Sequence, residues 1–374
     1  MKVNELIDEL QNDFYTGVPD STLRPICDYL MEQKGLFANH VIAANEGNCV
    51  GIAAGYYMAT RKVPIVYLQN SGIGNIANPV ISLLNEQVYE IPCLFFVGWR
   101  GEPGVADEPQ HRYQGEITEK LLRDMGIEVF VIKENITNEQ MQSIIKSANQ
   151  FLEEKKQVAL VFCKGSLESE EKKKYSNHYT IVREEAIRYL ADYSLQDVIV
   201  ASTGKISREL FEVREEKKQG HNKDFLTVGS MGHSSSIALG IALQKKNKRI
   251  WCLDGDGALL MHMGAMALLG ASGVENVIHV VFNNGAHESV GGLPTVMEKV
   301  DLIKMSEALG YKKAYSVSTL QELELVLGEV NHNWNLTFIE IKTAIGSRTD
   351  LGRPTIAPKD NLRDFMNYLA EREE

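Results

Sequence analysis

Short, nearly continuous apolar runs alternate with longer segments of helical period along the whole chain. In the first half the runs occupy 41–44, 63–68, 91–99, 127–132 and 158–163. Between them, apolar positions recur every three to four residues over 22–33, 47–60, 75–88, 117–125 and 138–153. The second half repeats the alternation, with runs at 198–202, 225–228, 250–253, 277–282 and 336–341 and helical patterns near 234–245, 261–271, 304–309 and 320–330. Strands apolar on both faces and separated by helices predict parallel sheets covered on both sides. Right-handed crossovers then make this an α/β chain of two doubly wound parallel sheets. The charged stretch 164–176 (KGSLESEEKKKYS) breaks the pattern near the middle. It reads as an exposed linker, placing one domain at 1–165 and another at 181–374, joined through 166–180. The 374 residues are enough for two domains, each with its own core.

Composition narrows the partners. At 44% hydrophobic and 24% charged, the chain is neither disordered nor fibrous. A net charge of −11 argues against nucleic acid or an anionic membrane as partner, because both are recognised by basic surfaces. A small anionic ligand then needs a pocket whose local field opposes the global one. Cys27, Cys49, Cys93, Cys163 and Cys252 are widely spaced, show no zinc-type pairing and lie mostly in apolar runs. They read as small core hydrophobes of a reducing compartment. The first ten residues are acidic rather than basic, and no apolar stretch approaches the ~20 residues that span a bilayer. A cytoplasmic location is expected.

In doubly wound sheets, ligands gather where strands end and helices begin. The strand at 250–253 runs into Asp254-Gly255-Asp256-Gly257-Ala258, and the strand at 277–282 ends in Asn283-Asn284-Gly285. Glycines let backbone approach a polyanion, and a helix starting near 259–261 offers free N–H groups. One carboxylate with an amide oxygen and a carbonyl is a hard-oxygen set suited to Mg²⁺. In the first half, Asn45-Glu46-Gly47 follows a strand and opens a small-residue helix. Its neighbours Ala43, Ala44, Cys49 and Val50 predict a buried Glu46 with a raised pKa, a group that shares a proton rather than carrying a bare charge. Gly229-Ser230-Met231-Gly232-His233 and Ser202-Thr203-Gly204-Lys205 end two further strands, the latter placing Lys205 within reach of a diphosphate.

The Gly-Asp-Gly and Asn-Asn pairing resembles the cofactor signature of the thiamine diphosphate-dependent decarboxylases. By that resemblance Asp256, the Asn284 side chain and the Ala286 carbonyl hold Mg²⁺, with Asn283 as the alternative ligand if the strand is shifted by one residue. Gly255, Gly257 and Ala258 line the diphosphate, and Glu46 faces N1′ of the aminopyrimidine. Met231 props the cofactor into its bent form, while the Gly229 carbonyl, beside Ser230, accepts from the 4′-amino group. The likeness extends through GVPDS, ANEGNCVGIAAGYYMAT, QNSGIGN, GWRGEPG, DEPQH, GSMGHSSSIALG, LDGDGALLMHMG and NNGAHESVGG, from about residue 13 to 345. It is a likeness to the short branch of the family, which has no middle domain. It implies a homo-oligomer, dimer or higher, with cofactor at the subunit interface, and decarboxylation of a small anionic 2-keto acid. Phosphonopyruvate, giving phosphonoacetaldehyde and CO₂ in phosphonate biosynthesis, is the expected substrate; sulfopyruvate or another 2-keto acid is the alternative.

Residues for that substrate come from 17–21, from Asn70 and Ser71, and from 98–111, a long aperiodic loop rich in Gly, Pro and charge. Arg100 and Arg112 are expected to take the dianionic head group. His111, Asp20, Ser21 and His287 are the candidate proton sources, with Glu102, Asp107 and Glu108 as competing ion-pair partners for the cations. A regulatory nucleotide-binding module would fit the same fold but leaves Glu46 and Met231 without a role.

Overall fold

A computed structural model of the chain describes residues 1–168 and 173–371, which form two compact units, Met1–Lys174 and Tyr175–Glu374. The division falls inside the segment 166–180 expected as a linker, of which 169–172 lie outside the described residues.

The first unit is built on six strands: β1 (Tyr15–Gly17), β2 (His40–Ile42), β3 (Ile65–Gln69), β4 (Cys93–Gly98), β5 (Glu128–Ile132) and β6 (Gln157–Phe162). They pair in parallel in the order β2-β1-β3-β4-β6-β5. Strands β4 and β6 are buried along their whole length, as runs with no polar face require. On one face Phe95, Val97, Val66, Leu68 and Val161 pack with Ile73, Ile76 and Leu122. All strands run the same way, so the segments after β1, β2, β3 and β4 leave from one edge. They deliver Asp20, Glu46, Asn70 and Arg100 there.

The second unit holds β7 (Val198–Ala201), β8 (Asp224–Leu226), β9 (Ile250–Gly255), β10 (Val277–Asn283), the short hairpin β11 (Ala286–His287) and β12 (Leu293–Pro294), then β13 (Lys313–Val317) and β14 (Thr337–Lys342). Its parallel sheet has the order β13-β14-β10-β9-β7-β8. The strand ends carry Lys205, the 229–233 turn, Asp256 and Asn284. The two sheets are the doubly wound pair anticipated from the alternation, and no third unit lies between them among the described residues. No helix among those residues is long and apolar enough to cross a membrane.

Several elements depart from the sequence expectation. Strand β1 is only three residues, and edge strand β13 (KAYSV) is largely polar; neither makes an apolar run. Helix Lys205–Lys217 was hidden because its buried face includes Glu209 and Arg214, whose charges are matched in the interior by Arg183 and Asp224. Instead of one helix over 75–88 there is Ile73–Pro79 followed by a π-helical turn, Val80–Leu84, where Pro79 removes an amide donor. The helix expected over 261–271 is two pieces, Asp256–Met261 and Gly264–Ala271, so helical backbone starts at Asp256 rather than near 259–261. Pro109 opens a helix, Pro109–Asp124, that takes in His111 and Arg112; the aperiodic segment therefore ends at Glu108.

Candidate active site

Glu46 occupies the first turn of helix Glu46–Thr60, behind Asn45, whose side chain accepts from the Asn48 amide at 2.9 Å. Only 4% of Glu46 is exposed, and burial raises its carboxyl above the ordinary range. Asn75 Nδ2 donates to Oε2 at 2.6 Å, while Oε1 lies over Gly72, where any Cβ would collide with the carboxylate. One oxygen is thus braced and the other left over a position without a side chain. Gly72 has φ −79°, which alanine adopts freely, so Gly72→Ala tests the collision alone. We expect a fall in kcat of roughly 100-fold with little change in thermal stability, since ångström-scale misplacement of a reacting group costs about that much. Wild-type kcat in this variant would mean the Glu46 position is immaterial.

A second group lies at the ends of β1, β3 and β4. Asp20 is fully buried; its Oδ2 accepts from the Thr22 and Leu23 amides at 2.8 and 3.0 Å, and its Oδ1 from Gln69 Nε2 at 2.5 Å. Asn70 is also fully buried, donating to the Arg100 carbonyl and Thr118 Oγ1 and accepting from the Arg100 amide, so it braces β3 to β4. Ser71 Oγ donates to Gln69 Oε1 at 2.7 Å. The Arg100 guanidinium grips Asp107 through Nε and Nη2 at 2.8 and 2.5 Å and reaches Ser21 Oγ through Nη1 at 3.3 Å. Arg112 is exposed, and its Nε donates to the Asp107 carbonyl at 3.4 Å. Burial, with Arg100 nearby, lowers the pKa of His111, and its buried Nδ1 has no hydrogen-bond partner. Of the three carboxylates weighed as partners, Asp107 takes Arg100. Asn70 and Asp20 face the scaffold.

In the second unit Asp256 and Asn284 converge. The Ala286 amide donates to Asn284 Oδ1 at 3.0 Å and also bonds Asp256. Asp256 is 3% exposed, its Oδ2 accepts from Thr295 Oγ1 at 2.7 Å, and burial pushes its pKa up to about 7. Asn283, the last residue of β10, turns elsewhere: its Nδ2 donates to Glu340 Oε1 at 2.7 Å and its Oδ1 accepts from the Gly285 amide. A Cβ at Gly257 would lie 3.2 Å from His287 Nδ1 and 3.6 Å from Met231 Cε, so these three share one wall with Ala258 beside them. Burial drops His287 to a pKa of about 4, leaving it neutral. Ser230, at φ +53°, and Gly232, at φ +89°, shape the turn that presents Met231 and exposes the Gly229 side of the backbone.

Glu288 escaped sequence reasoning, although it lies in the quoted segment NNGAHESVGG. Its Oε2 accepts from Asn284 Nδ2 at 2.7 Å and from Arg183 Nη1 at 2.8 Å, and its Oε1 from Lys205 Nζ at 2.8 Å. Lys205 therefore has its charge matched by Glu288. Arg183 in turn grips Glu209 through Nε and Nη2, both at 2.7 Å. This network sets which way the Asn284 amide points, with its oxygen toward Asp256.

Residues 3–122 match the N-terminal thiamine pyrophosphate-binding domain of the thiamine pyrophosphate enzymes, and residues 202–341 the C-terminal one. A β subunit of sulfopyruvate decarboxylase from Methanococcus maripaludis is 35% identical over 130 residues, covering 35% of this chain and 67% of that subunit. The chain belongs to the thiamine pyrophosphate enzymes. Within this family it is also similar, over nearly its full length, to the phosphonopyruvate decarboxylase of Streptomyces viridochromogenes, at 29% identity covering 94% of this chain and 90% of that one. The sulfopyruvate decarboxylase of Methanosarcina acetivorans is 26% identical, covering 95% of both. The residues fit the family's cofactor, thiamine diphosphate with Mg²⁺. Asp256 is a buried carboxylate with no basic side chain paired to it among the described residues, and the Ala286 amide ties it to the Asn284 side-chain oxygen. A buried carboxylate beside an amide oxygen is the start of a hard-oxygen donor set suited to Mg²⁺.

Proposed function

We propose that this thiamine diphosphate-dependent decarboxylase converts 3-phosphonopyruvate to phosphonoacetaldehyde and CO₂. The observation that carries the reading is the buried Glu46 carboxyl, braced on one oxygen and open on the other, in a chain similar end to end to decarboxylases of anionic 2-keto acids. The first unit then serves as the pyrimidine-binding domain and the second as the diphosphate-binding domain, in a homo-oligomer whose mass sedimentation would measure.

When bound, thiamine diphosphate supplies a nucleophilic carbon and an electron sink for loss of CO₂. Glu46 would exchange a proton at Oε1 with the cofactor's pyrimidine ring, a task suited to a carboxyl whose pKa burial raises. Asp256, Asn284 and the Ala286 carbonyl would hold Mg²⁺, and Met231, Gly229, Ser230, Gly255, Gly257 and Ala258 would shape the backbone and apolar walls. Lys205, through Glu288, sets the charge beside the diphosphate. The carbon that loses CO₂ regains a proton. His111 is our choice for this, ahead of Asp20, Ser21 and His287, because its buried Nδ1, without a hydrogen-bond partner among the described residues, lies in the Arg100 cluster.

Arg100 and Arg112 are proposed to bind the head group, Arg100 with its Nη1 edge beside Ser21 while Asp107 fixes the rest of its fork. Arg100→Ala is expected to raise KM for phosphonopyruvate about tenfold or more, the scale of one charge-assisted hydrogen bond, with thiamine diphosphate affinity unchanged. An unchanged KM removes Arg100 from this role.

The defining experiment is a phosphonoacetaldehyde assay on purified protein with and without thiamine diphosphate and Mg²⁺, run beside sulfopyruvate and pyruvate. Faster turnover of sulfopyruvate would establish the sulfonate alternative. Absence of metal-dependent cofactor binding by calorimetry would favour a regulatory module instead.

A further inference from the structure

Beneath the Asp256 and Asn284 turns, three chemistry-bearing side chains meet inside the second unit. Cys252 and His279 are direct cross-strand partners on β9 and β10, and Asp254, two residues beyond Cys252, points to the same face. All three are fully buried. Their donor atoms, the Cys252 sulfur, a carboxylate oxygen of Asp254 and a ring nitrogen of His279, lie within 4.8 Å of one another.

Two of these atoms are orphans. Among the described residues Asp254 Oδ2 and His279 Nε2 have no hydrogen-bond partner, yet they face each other at 3.7 Å. That is too long for a hydrogen bond and close to the ligand–ligand edge, roughly 3.3–3.8 Å, of a tetrahedral zinc centre. The remaining polar atoms are used in the way metal ligands use theirs. His279 Nδ1 meets the Tyr311 hydroxyl at 3.0 Å, and Asp254 Oδ1 accepts from the Gly255 amide at 2.9 Å. With Nδ1–H donated to Tyr311, Nε2 keeps its lone pair. Phe338 closes the site edge-on to the imidazole, with ring centroids 5.5 Å apart. Buried carboxylates are otherwise compensated by a cation or a set of donors, and here Oδ2 has neither.

We propose that Cys252, Asp254 and His279 form a buried site for a divalent, thiophilic transition-metal ion of the zinc class, separate from the all-oxygen Mg²⁺ site at Asp256 and Asn284. Thiolate and carboxylate together neutralise the ion. Binding forms Sγ–metal, Oδ2–metal and Nε2–metal bonds, breaks the Cys252 S–H bond and releases that proton to solvent. Mixed sulfur and nitrogen ligation disfavours Mg²⁺ and Ca²⁺. The ion would pin β9 to β10 just before the turns that carry Asp256 and Asn284. Because the site is enclosed, the metal enters during folding. The proposal does not depend on the substrate assigned above.

The test uses full-length protein produced with and without added zinc, treated with EDTA under conditions that strip Mg²⁺, and analysed by mass spectrometry of metals. We expect about one zinc per chain in wild type and in Asp256→Asn, and loss of it in Cys252→Ala and His279→Gln. Wild-type protein refolded with Co²⁺ should show a near-ultraviolet thiolate-to-cobalt band, a readout that stands even if the variants do not fold. Zinc absent from supplemented wild type, zinc retained in Cys252→Ala, or a cobalt complex without the thiolate band would each overturn the site.

Discussion

Glu46→Gln is expected to lower kcat by roughly 10²–10⁴-fold, the range attributable to a positioned proton-transfer group, while the protein stays folded and binds thiamine diphosphate within a few-fold of wild type. Glutamine has the same shape and keeps the Asn75 contact by offering its amide oxygen, but it cannot exchange a proton at the position of Oε1. The expected split between kcat and binding separates a chemical role from a merely structural one. Asn75→Ala provides the companion measurement. Removing the 2.6 Å donor leaves Oε2 buried without its partner, so the Glu46 pKa, already raised by burial, rises further. The limb of the pH–rate profile that reports Glu46 should then move to higher pH. A Glu46→Gln enzyme with near wild-type turnover would end the mechanism proposed above.

Asp256→Asn carries the second large effect, and it acts in opposite directions on binding and stability. Loss of the carboxylate should abolish Mg²⁺-dependent cofactor binding. In metal-free protein the same change should stabilise. The native Asp256 carboxyl sits at about 7 against 3.8 for a solvated one, so between these values the folded state binds the extra proton. Stability contributed by this group is therefore present at low pH and lost as pH rises through that window, the reverse of a salt-bridged aspartate. Above about pH 7 the buried charge costs on the order of 4 kcal/mol. Metal-free Asp256→Asn should thus exceed metal-free wild type in melting temperature at pH 8, with a smaller gap at pH 5. In wild type, stabilisation by Mg²⁺ should be larger at pH 8 than at pH 5. Equal melting temperatures of the two metal-free proteins across this range would mean that Asp256 is not the uncompensated charge it is taken to be.

Much of the candidate site was legible because its signals are local. The Gly-Asp-Gly and Asn-Asn turns stand directly after apolar runs, and Glu46 stands among small apolar residues in the first turn of a helix. What stayed hidden depends on distant pairing. Asn75 and Gly72 act on Glu46 from after β3, and nothing in either segment signals that carboxyl. Arg100 read as a head-group cation with Glu102, Asp107 and Glu108 as competing partners, and Asp107 takes its fork once the 101–108 segment folds back against helix Pro109–Asp124, where Gly101 and Gly115 approach too closely for any side chain. Glu288 stood in plain view and acquired meaning only through Arg183, Lys205 and Asn284 together. The cysteines read as bland core residues, which suits Cys27, Cys49 and Cys93; Cys252 differs because sheet register puts His279 opposite it.

The amino-acid order alone determined the two doubly wound sheets and singled out the strand ends at Glu46, Asp256 and Asn284, because periodicity and turn chemistry are properties of neighbouring residues. Only the tertiary structure decided that Asn284 rather than Asn283 adjoins Asp256, that Glu288 aims it, and that Cys252, Asp254 and His279 share one enclosed space. The physical reason is register. A strand's side chains alternate between faces, so a shift of one residue between β9 and β10 would exchange every cross-strand partner of that pair, and the alignment is set by the packing of both sheet faces at once.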